Sequence, residues 1–358
     1  MSRFISRRFD ALEAYVPGEQ PRDKAYIKLN TNESPYPPAP AVLDAVNRAE
    51  VADLKLYSDP DGRVLREKLA ATYGVGFDNV LLGNGSDEVL NFAFMAWCDA
   101  EHGCAFPDIS YGFYSVFADL YNLDAKVIPL DADFRVRPED YYGLDRFIAI
   151  ANPNAPTGLS LTPNEIEPIL QTNPDSVVLI DEAYVDFGGE SCLPLIRKYD
   201  NLLVVRTYSK SRSLAGARLG FALGSAELIA DLNKLRCSTN PYNINRLTLL
   251  AGAAALDDPA YFAECCQKIQ ATRADAAEKL QALGFELTDS RANFLFARHP
   301  DCDGSKFKDE LKARGVLVRH FSKPRIADYL RITVGTPEQM DALIAATAAI
   351  LADGCAAK

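Results

Sequence analysis

The chain has 358 residues, enough for about two domains of ordinary size and a large core. With 48% hydrophobic and 24% charged residues, 21 Gly and 21 Pro, it falls in the globular range and outside the disordered, collagenous and coiled-coil classes. A balance of 38 Lys+Arg against 49 Asp+Glu, net −11, argues against an electrostatic hold on nucleic acid or an anionic membrane, so an anionic ligand has to be met by a local pocket.

Arg3, Arg7 and Arg8 are followed at once by Asp10 and Glu13 with no apolar h-region, so a cytoplasmic protein is expected rather than a secreted one. The first forty residues carry Pro17, Pro21, Pro35, Pro37, Pro38 and Pro40 and show little periodicity; residues 1–40 read as an arm laid over the surface, packing on the small domain and the active site. From Val42 onward, short apolar runs are each followed by a polar or Gly-rich turn and a helical pattern, which predicts alternating β and α units over 41–245. Four runs stand out: Val80-Leu81-Leu82, Phe147 to Ile150, Val177 to Ile180 and Leu202 to Val205. Their near-continuous apolarity is that of buried parallel strands.

Further on, Phe262, Cys265, Cys266, Ile269, Ala276, Leu280 and Leu283 recur at three- and four-residue steps and Gly284 supplies the stop, which predicts an amphipathic helix. Strands at 294–296, 316–318 and 330–334 and a closing helix from Pro337 to Leu351 complete a smaller α+β domain, 246–358, joined near residues 240 to 260. The apolar stretch Leu343 to Ala352, the longest, is broken by Thr347 and falls short of the ~18 residues a membrane span needs. Eight cysteines, at 98, 104, 192, 237, 265, 266, 302 and 355, show no C-x-x-C and no zinc spacing, so reduced thiols are expected. The histidines, His102, His299 and His320, are too scattered for a metal site.

Ligands of an open parallel α/β sheet bind outside the carboxyl ends of its strands, so the residues after each run carry the functional signal. Gly83-Asn84-Gly85-Ser86-Asp87-Glu88 follows the first; it reads either as a phosphate-holding helix start or as an ordinary cap by Ser86 or Asp87. It matches neither the dinucleotide fingerprint nor the P-loop. Asn152-Pro153-Asn154-Ala155-Pro156-Thr157-Gly158 follows the second, and Asp181-Glu182-Ala183-Tyr184 the third. The fourth runs into Ser209-Lys210 and then Arg218. An amine, a carboxylate, a phenol, an amide and a cup for one phosphate are together what pyridoxal 5′-phosphate requires: the aldehyde condenses with a lysine and a carboxylate keeps the ring nitrogen protonated.

In these motifs, in order and spacing, the sequence resembles the fold-type I pyridoxal-phosphate-dependent aminotransferases, and within them the histidinol-phosphate aminotransferase family, from Leu12 to about Ile350. The resemblance implies a three-layer αβα large domain with a mainly parallel sheet beside the smaller α+β domain, and a homodimer. It implies that Lys210 binds the cofactor covalently, that Asp181 pairs with its ring nitrogen and that Tyr184 meets its ring hydroxyl. Gly85, Ser86, Asp87, Ser209 and Arg218 would surround the phosphate, Tyr111 would stack on the ring, and Tyr57 would reach the phosphate from the partner subunit. One position departs from the family pattern Asn-Pro-Asn-Asn-Pro-Thr-Gly: Ala155 replaces the second of the paired asparagines, leaving the ring hydroxyl to Asn154, to Asn152 or to Tyr184 alone.

The segments Leu12 to Glu19 and Lys28 to Tyr36 resemble the arm of the histidinol-phosphate branch, which carries Tyr15 and Asn32 over as substrate contacts. Arg331, inside a strand pattern, is the foremost candidate for the substrate anion, assisted by Arg319; a buried structural salt bridge is the other reading. The implied reaction is reversible amino transfer between L-histidinol phosphate and 2-oxoglutarate, giving imidazole-acetol phosphate and L-glutamate. An aromatic-amino-acid transaminase, a threonine-phosphate decarboxylase and a non-catalytic binding protein on the same scaffold are the alternatives.

Overall fold

The structure, a computed structural model, describes residues 19–354 apart from 22 and 100. Twelve strands are found among them: β1 (Ile27–Leu29), β2 (Val80–Gly83), β3 (Cys104–Pro107), β4 (Ala125–Ile128), β5 (Phe147–Ala151), β6 (Val178–Asp181), β7 (Leu202–Thr207), β8 (Gly220–Gly224), β9 (Glu286–Leu287), β10 (Phe294–Arg298), β11 (Val316–His320) and β12 (Leu330–Thr333). They form a seven-stranded sheet, β2-β8-β7-β6-β5-β3-β4, and a five-stranded sheet, β1-β11-β12-β10-β9.

In the large sheet side chains alternate between two cores. Val80, Leu82, Ile148, Ile150, Leu202 and Val204 point into one; Leu81, Phe147, Ala149, Leu203 and Val205 point into the other. Helices cover both faces, which explains why these strands read as continuous apolar runs. The Arg246–Ala254 helix belongs to this layer system, with Ala251, Ala253 and Ala254 in the same core as Leu65 and Leu69. A third core, including Leu29, Ala276, Leu280, Leu311, Ile332 and Leu343, fills the space under the small sheet. A bridging cluster of Ala155, Tyr184 and Phe187 with Phe294 and Val334 sets the small sheet against the large one.

Three of the expected parallel strands, β5, β6 and β7, do pair in parallel. The Val80 strand does not: β2 is an edge strand whose partner is the antiparallel β8. Strand β8 was missed because GFALG reads as turn composition. Its glycine serves a close approach instead, since a Cβ on Gly220 would lie 2.3 Å from the backbone nitrogen of Ser86. Being antiparallel, β8 begins at the edge where the parallel strands end, with Gly220 registered against both Gly83 and Thr207. The arm meets the small domain through a strand of its own: Ile27–Leu29 pairs in parallel with Val316, Leu317 and Val318, so this stretch is part of the small sheet. Cys302 is disulfide-bonded, which corrects the all-thiol expectation, whereas Cys98, Cys104, Cys192, Cys237, Cys265 and Cys266 are free. Sequence spacing detects only local pairs; a bridge needs proximity in the fold. No helix among the described residues is long and apolar enough to cross a membrane.

Candidate active site

The carboxyl ends of β5, β6 and β7, with the segments that follow β2 and precede β8, surround a cavity of about 180 Å³. Its lining includes Ser86, Asp87, Tyr111, Asp181, Tyr184, Ser209, Lys210 and Arg218, which stand far apart in sequence.

One wall is built for an anion. The Ser86–Trp97 helix starts behind Gly85, which has φ 82 and provides no side-chain cap, so backbone N–H groups of the first turn are left for a ligand. A Cβ on Gly85 would meet Arg218 Nη2 at 2.4 Å. Arg218 itself holds φ 55 and turns in over this helix start; its Nη1 donates to Ser209 Oγ at 3.4 Å and its Nη2 to Asp87 Oδ2 at 3.3 Å. The Tyr111 hydroxyl donates to Asp87 Oδ1 at 2.6 Å, which fixes the ring at the cavity wall.

Asp181 ends β6, buried to 5% exposure. Burial in this apolar strand end pushes its carboxyl up to about 7, against the opposing effect of two donors, the Tyr114 hydroxyl at 3.1 Å and the Ala183 N–H at 3.1 Å. Neither donor carries a charge. The neighbouring Glu182 faces the other way, taking Arg206 at 2.8 Å and the Cys192 N–H at 2.6 Å. Asp186 links that pair onward, accepting from Arg206 Nη1 at 3.3 Å and from the Ser211 hydroxyl at 2.5 Å, and so pins the turn after Lys210.

Lys210 is half-buried; its Nζ donates to the Thr31 carbonyl at 3.4 Å and lies 5.7 Å from the centre of the Tyr184 ring. Thr31 and Glu33 reach the cavity from the arm. Glu33 is held by Lys28 at 2.8 Å and by the Thr31 hydroxyl at 2.9 Å. Sequence reading missed Thr31, Glu33 and Tyr114, because a polar arm residue and a helical tyrosine carry no signal of where they end up.

The remaining candidates lie outside the lining. Asn154 is buried and committed locally: its amide donates to the Ile109 carbonyl at 2.9 Å and to Thr157 Oγ1 at 3.0 Å, and its Oδ1 accepts from Ser110 at 2.7 Å. Asn152 is closed on Leu161 in the same way, so Ala155 is the residue of this turn that faces the cavity. Asn32 is buried between Tyr184 and Thr333. Arg319 and Arg331 are directly opposed across β11 and β12. Both guanidinium groups lie 5.7 Å from the centre of the Phe321 ring, and Arg331 Nη2 donates to the Asn30 carbonyl at 3.3 Å, beside the arm residues that enter the cavity. Tyr57 is 80% exposed and stacks on Tyr242 at 4.5 Å, away from its own cavity. Tyr15 lies outside the described residues.

The sequence profile of the family described as Aminotransferase class I and II matches residues 24–346. Histidinol-phosphate aminotransferase of Marinomonas sp. (strain MWYL1) is 51% identical over 349 residues, 97% of this chain and 99% of that protein. The protein of the same description from Chromohalobacter salexigens is 49% identical over 98% of this chain and 99% of its own length. Among solved structures, histidinol-phosphate aminotransferase from Sinorhizobium meliloti in complex with pyridoxal-5′-phosphate superposes with a TM-score of 0.87 at 25% identity, covering 98% of this chain and 100% of that one. Matched over nearly its whole length in sequence and in fold, the chain belongs to the class I and II aminotransferases, in their histidinol-phosphate aminotransferase branch.

Proposed function

We propose that the cavity holds pyridoxal 5′-phosphate and that the chain transfers an amino group reversibly between L-histidinol phosphate and 2-oxoglutarate, a step of histidine biosynthesis. The observation that carries this reading is Asp181. A buried carboxyl whose bonded partners among the described residues are both uncharged is held up to about 7; a protonated ring nitrogen supplies the missing counter-charge. The helix start behind Gly85, with Ser209 and Arg218 beside it, fits the single phosphate, and Lys210 is the amine within the same cavity. When bound, the cofactor supplies an aldehyde that takes up the amino group and a ring that disperses negative charge.

The chain's own residues do the rest. Asp181 keeps the proton on the ring nitrogen, and the Tyr184 hydroxyl donates toward the ring hydroxyl. The Lys210 amine would act as the general base that takes up and returns the proton at the substrate Cα. Arg331 and Arg319, opposed across β11 and β12, hold the substrate's anion; the guanidinium fork accepts carboxylate and phosphate alike, as two alternating substrates demand.

The unit of activity in this reading is a cytoplasmic homodimer. Leu43, Val51, Leu54, Leu56, Tyr57 and Val64 are each about half exposed or more within one short segment, an apolar surface that a second copy would cover while bringing Tyr57 to the neighbouring phosphate site. Lys210→Ala tests the assignment: turnover is expected to fall by at least about 10²-fold, the smaller end of what a proton-transferring side chain contributes, and unchanged turnover would reject it.

A further inference from the structure

Tyr184 reaches the cavity with its hydroxyl already engaged from behind. Asn32 Nδ2 donates to that oxygen at 3.0 Å, and no other bond to it is made by the described residues. The orientation of the Asn32 amide follows from its neighbours. The Asn32 backbone N–H donates to Thr333 Oγ1 at 2.9 Å, so the hydroxyl hydrogen of Thr333 is free for Asn32 Oδ1, 3.0 Å away. The oxygen end of the amide is thereby committed to Thr333 and the N–H end has to face Tyr184. An oxygen that accepts from Asn32 must send its own hydrogen elsewhere, and the open direction is the cavity.

We infer that Asn32 is a positioning residue that aims and polarises the Tyr184 proton at the ring hydroxyl of the bound cofactor, with Thr333 fixing the amide. Three features favour the assignment. Asn32 is 1% exposed, with both ends of its amide used inside the protein, so a direct substrate contact is excluded as long as the relay is intact. The residue holds φ 55, a conformation Asn tolerates far better than most side chains. Finally, the turn that follows β5 offers no competing amide, since Asn152 and Asn154 are closed on their own loop and Ala155 presents a methyl. Among the described residues Tyr184 is then the side-chain donor for the ring oxygen at this wall, and the strength of its donation depends on the arm and the small sheet, because Thr333 lies on β12 and the Asn293 amide holds the Asn32 carbonyl at 3.2 Å.

This inference rests on the cofactor placement proposed above, and the test separates the two. The readout is the pH midpoint of the visible absorption band of the holoenzyme, measured for the parent, Asn32→Gly, Tyr184→Phe and the double variant. Glycine removes the amide without straining φ 55. A hydroxyl donating to the ring oxygen competes for the lone pair that otherwise holds the adjacent imine proton, so weakening the donor raises the midpoint. Tyr184→Phe is expected to raise it by about one unit, the scale of a hydrogen bond to a charged group, and Asn32→Gly by roughly half as much. In the Tyr184→Phe background Asn32→Gly is expected to add nothing. If Asn32→Gly does not fold, the near-isosteric Thr333→Val, which frees the amide to turn its oxygen toward Tyr184, is expected to give an upward shift that Tyr184→Phe likewise abolishes. A shift from Tyr184→Phe but none from Asn32→Gly or Thr333→Val overturns the relay, as does a shift that persists in the Phe background. No shift from Tyr184→Phe overturns the cofactor placement itself.

Discussion

Asp181→Asn separates the cost of the Asp181 carboxyl from its use. In the folded protein without cofactor this carboxyl is pushed up to about 7 from an ordinary 3.8, chiefly by burial. The folded chain therefore keeps a proton that the unfolded chain releases between those values. Stability from this group is fully present below about pH 4, falls as the pH climbs toward 7 and levels off above it. A gap of about three units corresponds to about 4 kcal/mol at pH 8, taken at 1.36 kcal/mol per unit. Asn keeps an oxygen for the Ala183 N–H and a group for the Tyr114 hydroxyl, but carries no charge to desolvate. For a chain of 358 residues, at roughly 2.1 cal/mol/K of unfolding entropy per residue, the cofactor-free variant is expected to melt about 5 °C above the parent at pH 8 and level with it at pH 4. The order reverses with cofactor: the parent gains an ion pair that the variant cannot make, so pyridoxal phosphate is expected to raise the parent's melting temperature by more. Thermal scans across pH, with and without cofactor, read both effects. A melting difference that does not change between pH 4 and pH 8 would refute the burial argument, and equal stabilisation of both proteins by the cofactor would refute the ring-nitrogen contact.

Two further outcomes are expected. Gly220→Ala places a Cβ 2.3 Å from the Ser86 backbone nitrogen, which cannot give way as a side chain would; it is expected to weaken cofactor binding at least tenfold and to cost about 1–3 kcal/mol of stability, read by fluorescence titration and denaturant melts. Leu56→Asp puts a charge on a side chain that is 59% exposed in the single chain but covered in the proposed dimer; light scattering is expected to show a lower mass and the activity to fall with it, and an unchanged mass would remove this segment from the interface.

The fold was legible where burial is two-sided. Strands β5, β6 and β7 have helices on both faces, and their unbroken apolar runs say so. Strands with other constraints were silent: β3 ends in Pro107, β4 exposes Lys126 and Val127, and β8 is framed by glycines that serve close backbone approach. The arm looked structureless because a three-residue strand such as Ile27–Leu29 is too short to show a period. The cavity was legible through topology, since Asp181, Lys210 and Ser86 each follow a strand whose end lies at one edge of one sheet. Contacts made by side chains across domains left no such trace. That Asn32 serves Tyr184, or that Tyr114 donates to Asp181, depends on distances fixed only when the arm and helices have packed. The opposition of Arg319 and Arg331 needs the register of β11 on β12, which neither strand encodes alone.

The most direct test of the account is the visible spectrum of the purified protein loaded with pyridoxal phosphate, before and after L-histidinol phosphate, with L-threonine phosphate and phenylalanine in parallel. A band near the colour of a lysine-linked cofactor, absent in Lys210→Ala, is expected, and histidinol phosphate is expected to convert it to the amino form at the lowest concentration of the three. Faster conversion by either other amine would contradict the substrate, and a protein that never develops the band would contradict the site.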